Sequence, residues 1–243
     1  MTTEERLRKL EKDLRSARRS SRMLLVGMAT LAVVGLLFCA AQAQSLETTI
    51  SLGVGGNPCA VVYDSQSNKV YCANNADSSV TVIDGALNEA IATVMVGSSP
   101  VALCYNSLND KVYCANSGSS NVTVIDGATN GVITTVAAGT SPYALCYNAT
   151  NNEVYCANSG SNSVTVIDGA TNGVITTVAA GTSPYALCYN ATYNKVYCAN
   201  SGSNNVTVID GAGDTVITTV TVGPFPGALC YNSLNNKVYC ANY

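Results

Sequence analysis

"EVYCANSGSNSVTVIDGATNGVITTV", residues 153–178, holds three short runs rich in Val, Ile, Thr and Tyr: "EVYCAN" (153–158), "SVTVID" (163–168) and "GVITTV" (173–178). A fourth, "YALCYN" (143–148), stands just upstream, and Asn, Gly, Ser or Pro bounds each run. β-branched and aromatic residues bracketed by turn formers read as strands. The stretches between them, "ATNN", "SGSN" and "GATN", are four residues long, the length of hairpin connections. One unit is therefore four consecutive antiparallel strands.

The unit recurs. Tyr-Cys-Ala-Asn begins at Tyr71, Tyr113, Tyr155, Tyr197 and Tyr239, in steps of 42 residues. Pro58, Pro100, Pro142, Pro184 and Pro226 keep the same spacing, as do Asp84, Asp126, Asp168 and Asp210. Residues 114–150 and 156–192 differ at only two of 37 positions. A fixed period of this length signals a repeat architecture, and no part of the repeats has helical periodicity. Four antiparallel strands per repeat, joined by a Pro-containing loop, describe one blade of a β-propeller. The fold class is all-β.

Tyr-Cys-Ala-Asn followed by "VTVIDGATN" and a strand ending in Gly before Ser-Pro resembles the YVTN β-propeller family of surface-layer-type proteins. The resemblance covers about residues 46–243, and it departs in placing Cys where that family usually has Val. It implies a scaffold more than an activity, because a fold of this kind hosts many functions.

Counting strands predicts a lone one in "ETTISL" (47–52), four complete repeats, and "ALCYN" with "KVYCAN" of a fifth. That makes 19 strands and about five blades, the last one short. The expectation is a propeller with more blades than this sequence contains; the alternative is a five-bladed ring with a defective last blade.

Charge is distributed unevenly. Residues 1–22 carry eight of the twelve Lys and Arg against four acids, a balance of +4. The remainder has four Lys, no Arg and eleven acids, a balance of −7. A surface of that sign repels phosphate backbones, so no nucleic-acid partner is expected. The chain has no His. That removes the commonest general base and the commonest metal ligand, and with them Ser-His-Asp chemistry, His-based zinc sites and His haem ligation.

Residues 23–41, "MLLVGMATLAVVGLLFCAA", contain no charge and are about as long as a membrane-crossing helix needs to be. The basic flank on their N-terminal side holds the N-terminus in the cytoplasm and sends the rest across. Ala41-Gln42-Ala43 fits a signal-peptidase site, with Gln44 as the new N-terminus, whereas the long charged leader favours an uncleaved anchor. Cys39 is a poor lipoprotein site because bulky Phe38 precedes it. The division is a basic cytoplasmic leader helix (1–22), a transmembrane anchor or signal peptide (23–43) and the repeats (45–243). Either way the repeats are exported, to the periplasm or the cell surface, and an uncleaved helix would keep them at the membrane.

Within the repeats, Asp84, Asp126, Asp168 and Asp210 precede Gly at a strand end, where a carboxylate accepts backbone N–H groups and sets the turn. One Asp per blade does not supply the six to eight converging oxygens that calcium takes, and no metal is expected there. The connections "AGTSPY" and "NSGSN" share one face of the blades. They make Tyr143, Tyr185, Asn116, Asn158 and Asn200 the ligand-face candidates, by their mixture of aromatic and amide groups. Plain solvated turns are the competing reading.

Cysteines pair at ten-residue spacing: Cys104 with Cys114, Cys146 with Cys156, Cys188 with Cys198, and Cys230 with Cys240. Each pair lies on hairpin neighbours and is expected to share a face, directly opposite or diagonal. Direct opposition would permit a disulfide, which export would allow. Buried thiols standing in for Val are preferred, because the first repeat has Val62 in place of one partner, leaving Cys72 alone. A swap of such a thiol for Val is expected to cost under about 1.5 kcal/mol.

These readings lead to an exported, non-enzymatic propeller without a cofactor or catalytic residues, acting as a binding or cell-envelope scaffold for a protein or envelope ligand. The alternative is a propeller enzyme, of the quinone-dependent dehydrogenase or lactonase type, whose active residues lie outside this chain. An enzyme site needs unlike groups converging, and near-identical repeats supply like ones.

Overall fold

The computed structural model of the chain describes Lys9, Lys12, residues 48–52 and residues 56–243. The run at 23–41 lies outside the described residues, and among those described no helix is long and apolar enough to cross a membrane. Residues 50–243 form one compact unit.

The strands fall where the Val, Ile, Thr and Tyr runs place them. The first sheet holds β1 (Pro58–Asp64), β2 (Lys69–Asn74), β3 (Ser79–Asp84) and β4 (Glu89–Met95). The second holds β5 (Pro100–Asn106), β6 (Lys111–Asn116), β7 (Asn121–Asp126) and β8 (Val132–Ala137). The third holds β9 (Pro142–Asn148), β10 (Glu153–Asn158), β11 (Ser163–Asp168) and β12 (Val174–Ala179). The fourth holds β13 (Pro184–Asn190), β14 (Lys195–Asn200), β15 (Asn205–Asp210) and β16 (Thr215–Thr221). A fifth sheet consists of β17 (Pro226–Asn232) and β18 (Lys237–Asn242). Each sheet runs in sequence order, and the pairs are antiparallel.

One expectation fails: residues 48–52 carry no strand. A lone run satisfies its backbone as a strand only by pairing, and none of the described ladders includes it. The described strands therefore number 18, not 19.

The four-residue turns explain the recurring Asn. The last residue of each turn in the third repeat has positive φ: Asn152 at 58°, Asn162 at 53° and Asn172 at 62°. Asn tolerates this left-handed conformation far better than β-branched residues do. Proline begins every first strand, where it costs no ladder donor.

The period of two then decides how blades meet. Successive side chains on a strand point to opposite faces. On β10, Val154 and Cys156 pack backward onto the second sheet, in a core with Cys104, Tyr113, Val122, Val124 and Val136. Tyr155 and Ala157 point forward and, with Val164, Val166 and Val178, meet Val196, Cys198 and Ile209 of the fourth sheet. The seam between the first and second sheets repeats this arrangement with Tyr71, Val80, Val82 and Val94 against Val112, Cys114 and Ile125. Each full burial of a Val-sized side chain is worth about 1.5–3 kcal/mol, so these apolar seams hold neighbouring sheets together. First strands of successive sheets neighbour one another, from β1 through β5, β9 and β13 to β17.

Candidate functional site

The start of the first strand is the end of the blade where the linking loops gather. In the third repeat, Ser159 N donates to Ser141 O at 2.9 Å and Gly160 N to Thr140 O at 3.0 Å, which ties the two loops together. Tyr143 and Tyr185 follow the prolines of β9 and β13, and the structure brings them together. Their hydroxyls are 2.9 Å apart. Their rings lie 4.4 Å centroid to centroid, tilted by 31°. Each is 37% exposed. The hydrogen bond that Tyr143 donates to Tyr185, with burial second, pushes the Tyr143 phenol up to about 12. The Tyr143 phenol thus stays neutral at ordinary pH, and the pair presents ring edges and hydroxyls to solvent. The other repeats have Cys59, Val101 and Gly227 at this position, so the pair is particular to two adjacent blades.

The asparagines do not join them. Asn116, Asn158 and Asn200 are fully buried. Asn158 Nδ2 donates to Ser163 Oγ (3.2 Å) and Thr165 Oγ1 (2.9 Å) of the next strand. Asn116 and Asn200 make the same bridges, to Asn121 and Thr123 and to Asn205 and Thr207. The strand ends inside the seam, and period two turns the amide onto the face that already holds Val154 and Cys156. The ligand face therefore reduces to the two tyrosines.

This bridge also gives the cysteine a role. Cys114 Sγ donates to Asn116 Oδ1 at 3.4 Å, Cys156 to Asn158 at 3.6 Å and Cys198 to Asn200 at 3.5 Å. Two residues apart on a strand, thiol and amide share a face, and the thiol satisfies a buried carbonyl oxygen that Val could not. In the first repeat Asn74 Oδ1 has no partner.

The cysteine pairs do not share a face. Cys146 lies opposite Tyr155, and Cys156 opposite Leu145. The same one-residue offset separates Cys104 from Cys114, Cys188 from Cys198 and Cys230 from Cys240. Neighbours offset by one project to opposite faces of the sheet, which excludes a disulfide between them. The ten described cysteines are free. Burial pushes the Cys104, Cys156 and Cys198 thiols up to about 12, and buried thiols of that kind are unreactive.

The opposite end of the blades carries the acids. Asp168 Oδ1 accepts the N–H groups of Ala170 (2.8 Å) and Thr171 (2.7 Å), and Asp84 accepts those of Ala86 and Leu87. Asp126 accepts from the N–H and hydroxyl of Thr129, and Asp210 makes a longer contact, 3.5 Å, to Ala212 N. These four set turns. Hydrogen bonds from the Thr171 and Thr129 backbone hold Asp168 and Asp126 below the usual carboxylate range.

Nearby, amides link adjacent blades: Asn106 Nδ2 donates to Asn152 Oδ1 (2.8 Å), Asn148 to Asn194 (2.9 Å) and Asn190 to Asn236 (2.9 Å). The first seam has Asp64 and Asp110 at these positions, and the fully buried Asp64 leaves Oδ2 without a partner. Among the described residues, no three His, Cys, Asp or Glu side chains converge as a metal site. Between the fourth and fifth sheets lies an apolar cleft of about 310 Å³, lined by Tyr197, Val206, Val208, Leu229 and Val238 among others.

Comparison with known proteins places this arrangement. A family described as YNCE-like beta-propeller matches residues 98–242. No curated protein matches the sequence. Among solved structures, hydrazine synthase of Kuenenia stuttgartiensis is similar at a TM-score of 0.68 and 20% identity, over 81% of this chain and 59% of that one. A functionally unknown protein from Desulfotomaculum acetoxidans DSM 771 is similar at a TM-score of 0.70 and 15% identity, over 82% of this chain and 67% of that one. This chain thus spans little more than half the length of the hydrazine synthase chain. At such identities the likeness is one of fold.

Proposed function

The chain belongs to the YNCE-like β-propeller family, and from that premise we propose that it is an exported, non-enzymatic propeller serving as a binding or cell-envelope scaffold module. The observation that carries this reading is repetition. Blade after blade presents the same turns and the same buried networks, which suits many-point contact and not the convergence of unlike groups that catalysis needs. The exposed Tyr143–Tyr185 pair is the contact point that departs from the repeat, with flat rings and hydroxyls suited to an envelope polymer or a protein surface. Export rests on the uncharged run at 23–41 behind a basic leader. The alternative is a propeller enzyme, of the quinone-dependent dehydrogenase or lactonase type, with its active residues outside this chain.

The test uses the full chain and isolated cell envelopes. Wild-type protein is expected to co-sediment with them, and Y143S/Y185S to need roughly tenfold more envelope for the same retention, since an aromatic contact is worth about 0.5–1.5 kcal/mol beyond its buried area. Equal retention of both proteins would move the contact elsewhere, and no retention of either would overturn the scaffold reading.

A further inference from the structure

The second seam shows what the end of a blade's first strand ordinarily meets in the next blade. Asn106 Oδ1 accepts the N–H groups of Leu108 (3.0 Å) and Asn109 (3.2 Å), which fixes the amide and turns Nδ2 across the seam. That Nδ2 donates to Asn152 Oδ1 at 2.8 Å, and Asn152 Nδ2 donates back to Asn109 Oδ1 at 2.7 Å. The Tyr147 hydroxyl also donates to Asn152 Oδ1, at 3.2 Å. Three neutral amides and a phenol close the joint. The third seam repeats the links with Asn148, Asn194, Asn151 and Tyr189.

The first seam keeps this frame and exchanges all three amides. Asp64 stands for Asn106, Asp110 for Asn152 and Ser67 for Asn109, with Tyr105 in the place of Tyr147. Asp64 Oδ1 is held as Asn106 Oδ1 is, by the N–H groups of Gln66 (2.9 Å) and Ser67 (3.1 Å). Its Oδ2 therefore takes the place of Asn106 Nδ2 and is aimed across the seam at Asp110, so that an acceptor faces an acceptor. Asp110 has donors of its own: Tyr105 donates to Oδ1 at 3.0 Å, and the Ser67 hydroxyl reaches Oδ2 at 3.5 Å. Asp64 is fully buried, and its Oδ2 has no partner.

A buried carboxylate oxygen left in this way is costly. Lys69 does not answer it. Its Nζ donates to Gly127 O (2.7 Å), Ala128 O (3.1 Å) and Asn130 Oδ1 (3.0 Å), all neutral oxygens. Lys111 holds the matching set in the second seam, Gly169 O, Ala170 O and Asn172 Oδ1, where the neighbouring amides carry no charge. At these positions the first seam thus gains two negative charges over the second and no positive one.

We propose that a divalent cation of the calcium class binds in the first seam, between Asp64 Oδ2 and the Asp110 carboxylate, with the Tyr105 and Ser67 hydroxyls as its neutral ligands. Calcium takes six to eight oxygens and accepts carboxylates in mono- or bidentate form alongside neutral oxygens and water. Asp64 offers its one free oxygen and Asp110 both of its own. Each hydroxyl keeps a lone pair for the ion once its proton turns away. Asp110 is only half-buried, so water reaches that side of the site and supplies the remaining ligands. Two carboxylates match the charge of the ion. The exchange of three amides at once is then a single change of chemistry, from a hydrogen-bonded joint to a metal-bridged one.

The test is calorimetric titration of the full chain with calcium chloride after dialysis against EDTA, paired with thermal unfolding in calcium and in EDTA. The control is D64N/D110N, which installs the amides of the second and third seams and so keeps a joint this chain already uses. Wild type is expected to bind a single calcium and to melt higher in its presence, by mass action on the folded state. The double variant should show neither effect and should melt above wild type in EDTA. D64N alone, which changes charge and not shape, should bind roughly tenfold more weakly or worse, since ligand charge sets calcium affinity. No heat and no melting shift for wild type at millimolar calcium would overturn the proposal, as would an undiminished response in D64N/D110N.

Discussion

Cys156 shows how a single atom type decides a position. Its alternation with Tyr155 was legible in "VYCAN", and so was its burial. Its hydrogen bond to Asn158 was not, because a strand-end Asn beside a Gly-Ser loop reads as a solvated turn residue. The clue available was spacing: residues two apart on a strand share a face, so a buried Cys implies a buried Asn. The two kinds of cysteine should therefore respond differently to the same substitution. Cys156→Val strands Asn158 Oδ1 in the seam and is expected to destabilise by about 1–3 kcal/mol, the cost of an unsatisfied buried acceptor. Cys146→Val leaves no acceptor stranded and should cost under about 1.5 kcal/mol. Urea unfolding of both variants checks the contrast, and equal losses would remove the thiol's role as donor.

Strands and turns were the most legible level, since β-branched runs and four-residue Asn/Gly/Ser turns specify a hairpin locally. The exceptions are instructive. "ETTISL" has strand composition, but its described residues, 48–52, join no described ladder, and composition does not say whether a partner exists. Glu153 was visible as a departure from Lys69 and Lys111 of the other repeats, yet Asp214, 61 positions on, meets it at the Tyr155 hydroxyl only through a seam that no local pattern encodes. That pair and the turn aspartates should pull stability in opposite directions with pH. Glu153 and Asp214 are raised from ordinary values of 4.5 and 3.8, so their contribution is full below those values and is lost as pH rises through the folded ones. Asp126 and Asp168 are lowered from 3.8, so theirs is present above that value and is lost as pH falls through the folded ones. Melting temperatures followed from pH 3 to 8 should fall on the alkaline side for wild type, and E153K/D214N, which installs the Lys and Asn found at these positions in the second seam, should remove that fall while keeping the acid limb.

For the molecule as a whole, the 42-residue period announced a stack of equivalent sheets, but not which faces meet. The seams answer that, and they predict where stability lies. Ile167 is fully buried between the second and third sheets, whereas Ile175 on the outer strand is 47% exposed. Ile167→Ala is expected to cost about 2–5 kcal/mol, and Ile175→Ala well under half as much. Denaturant unfolding of the two variants compares them directly. Similar losses would mean that the seams are not what holds the sheets together.

The face rule, with Val and Cys pointing backward and Tyr and Ala forward, has a genetic consequence. Near-identical stretches of coding DNA misalign during replication and recombination, and the slip adds or removes one whole unit. Here such an event leaves a forward face against a backward face, so the protein tolerates a change in copy number that would ruin an ordinary domain. The joint between Glu153 and Asp214 is different. A copy of the second repeat inserted after β12 would set Glu153 against an Asn-bearing turn and leave Asp214 facing a Lys. Lineages that vary the number of blades should therefore carry these two acids together, gained or lost as a pair.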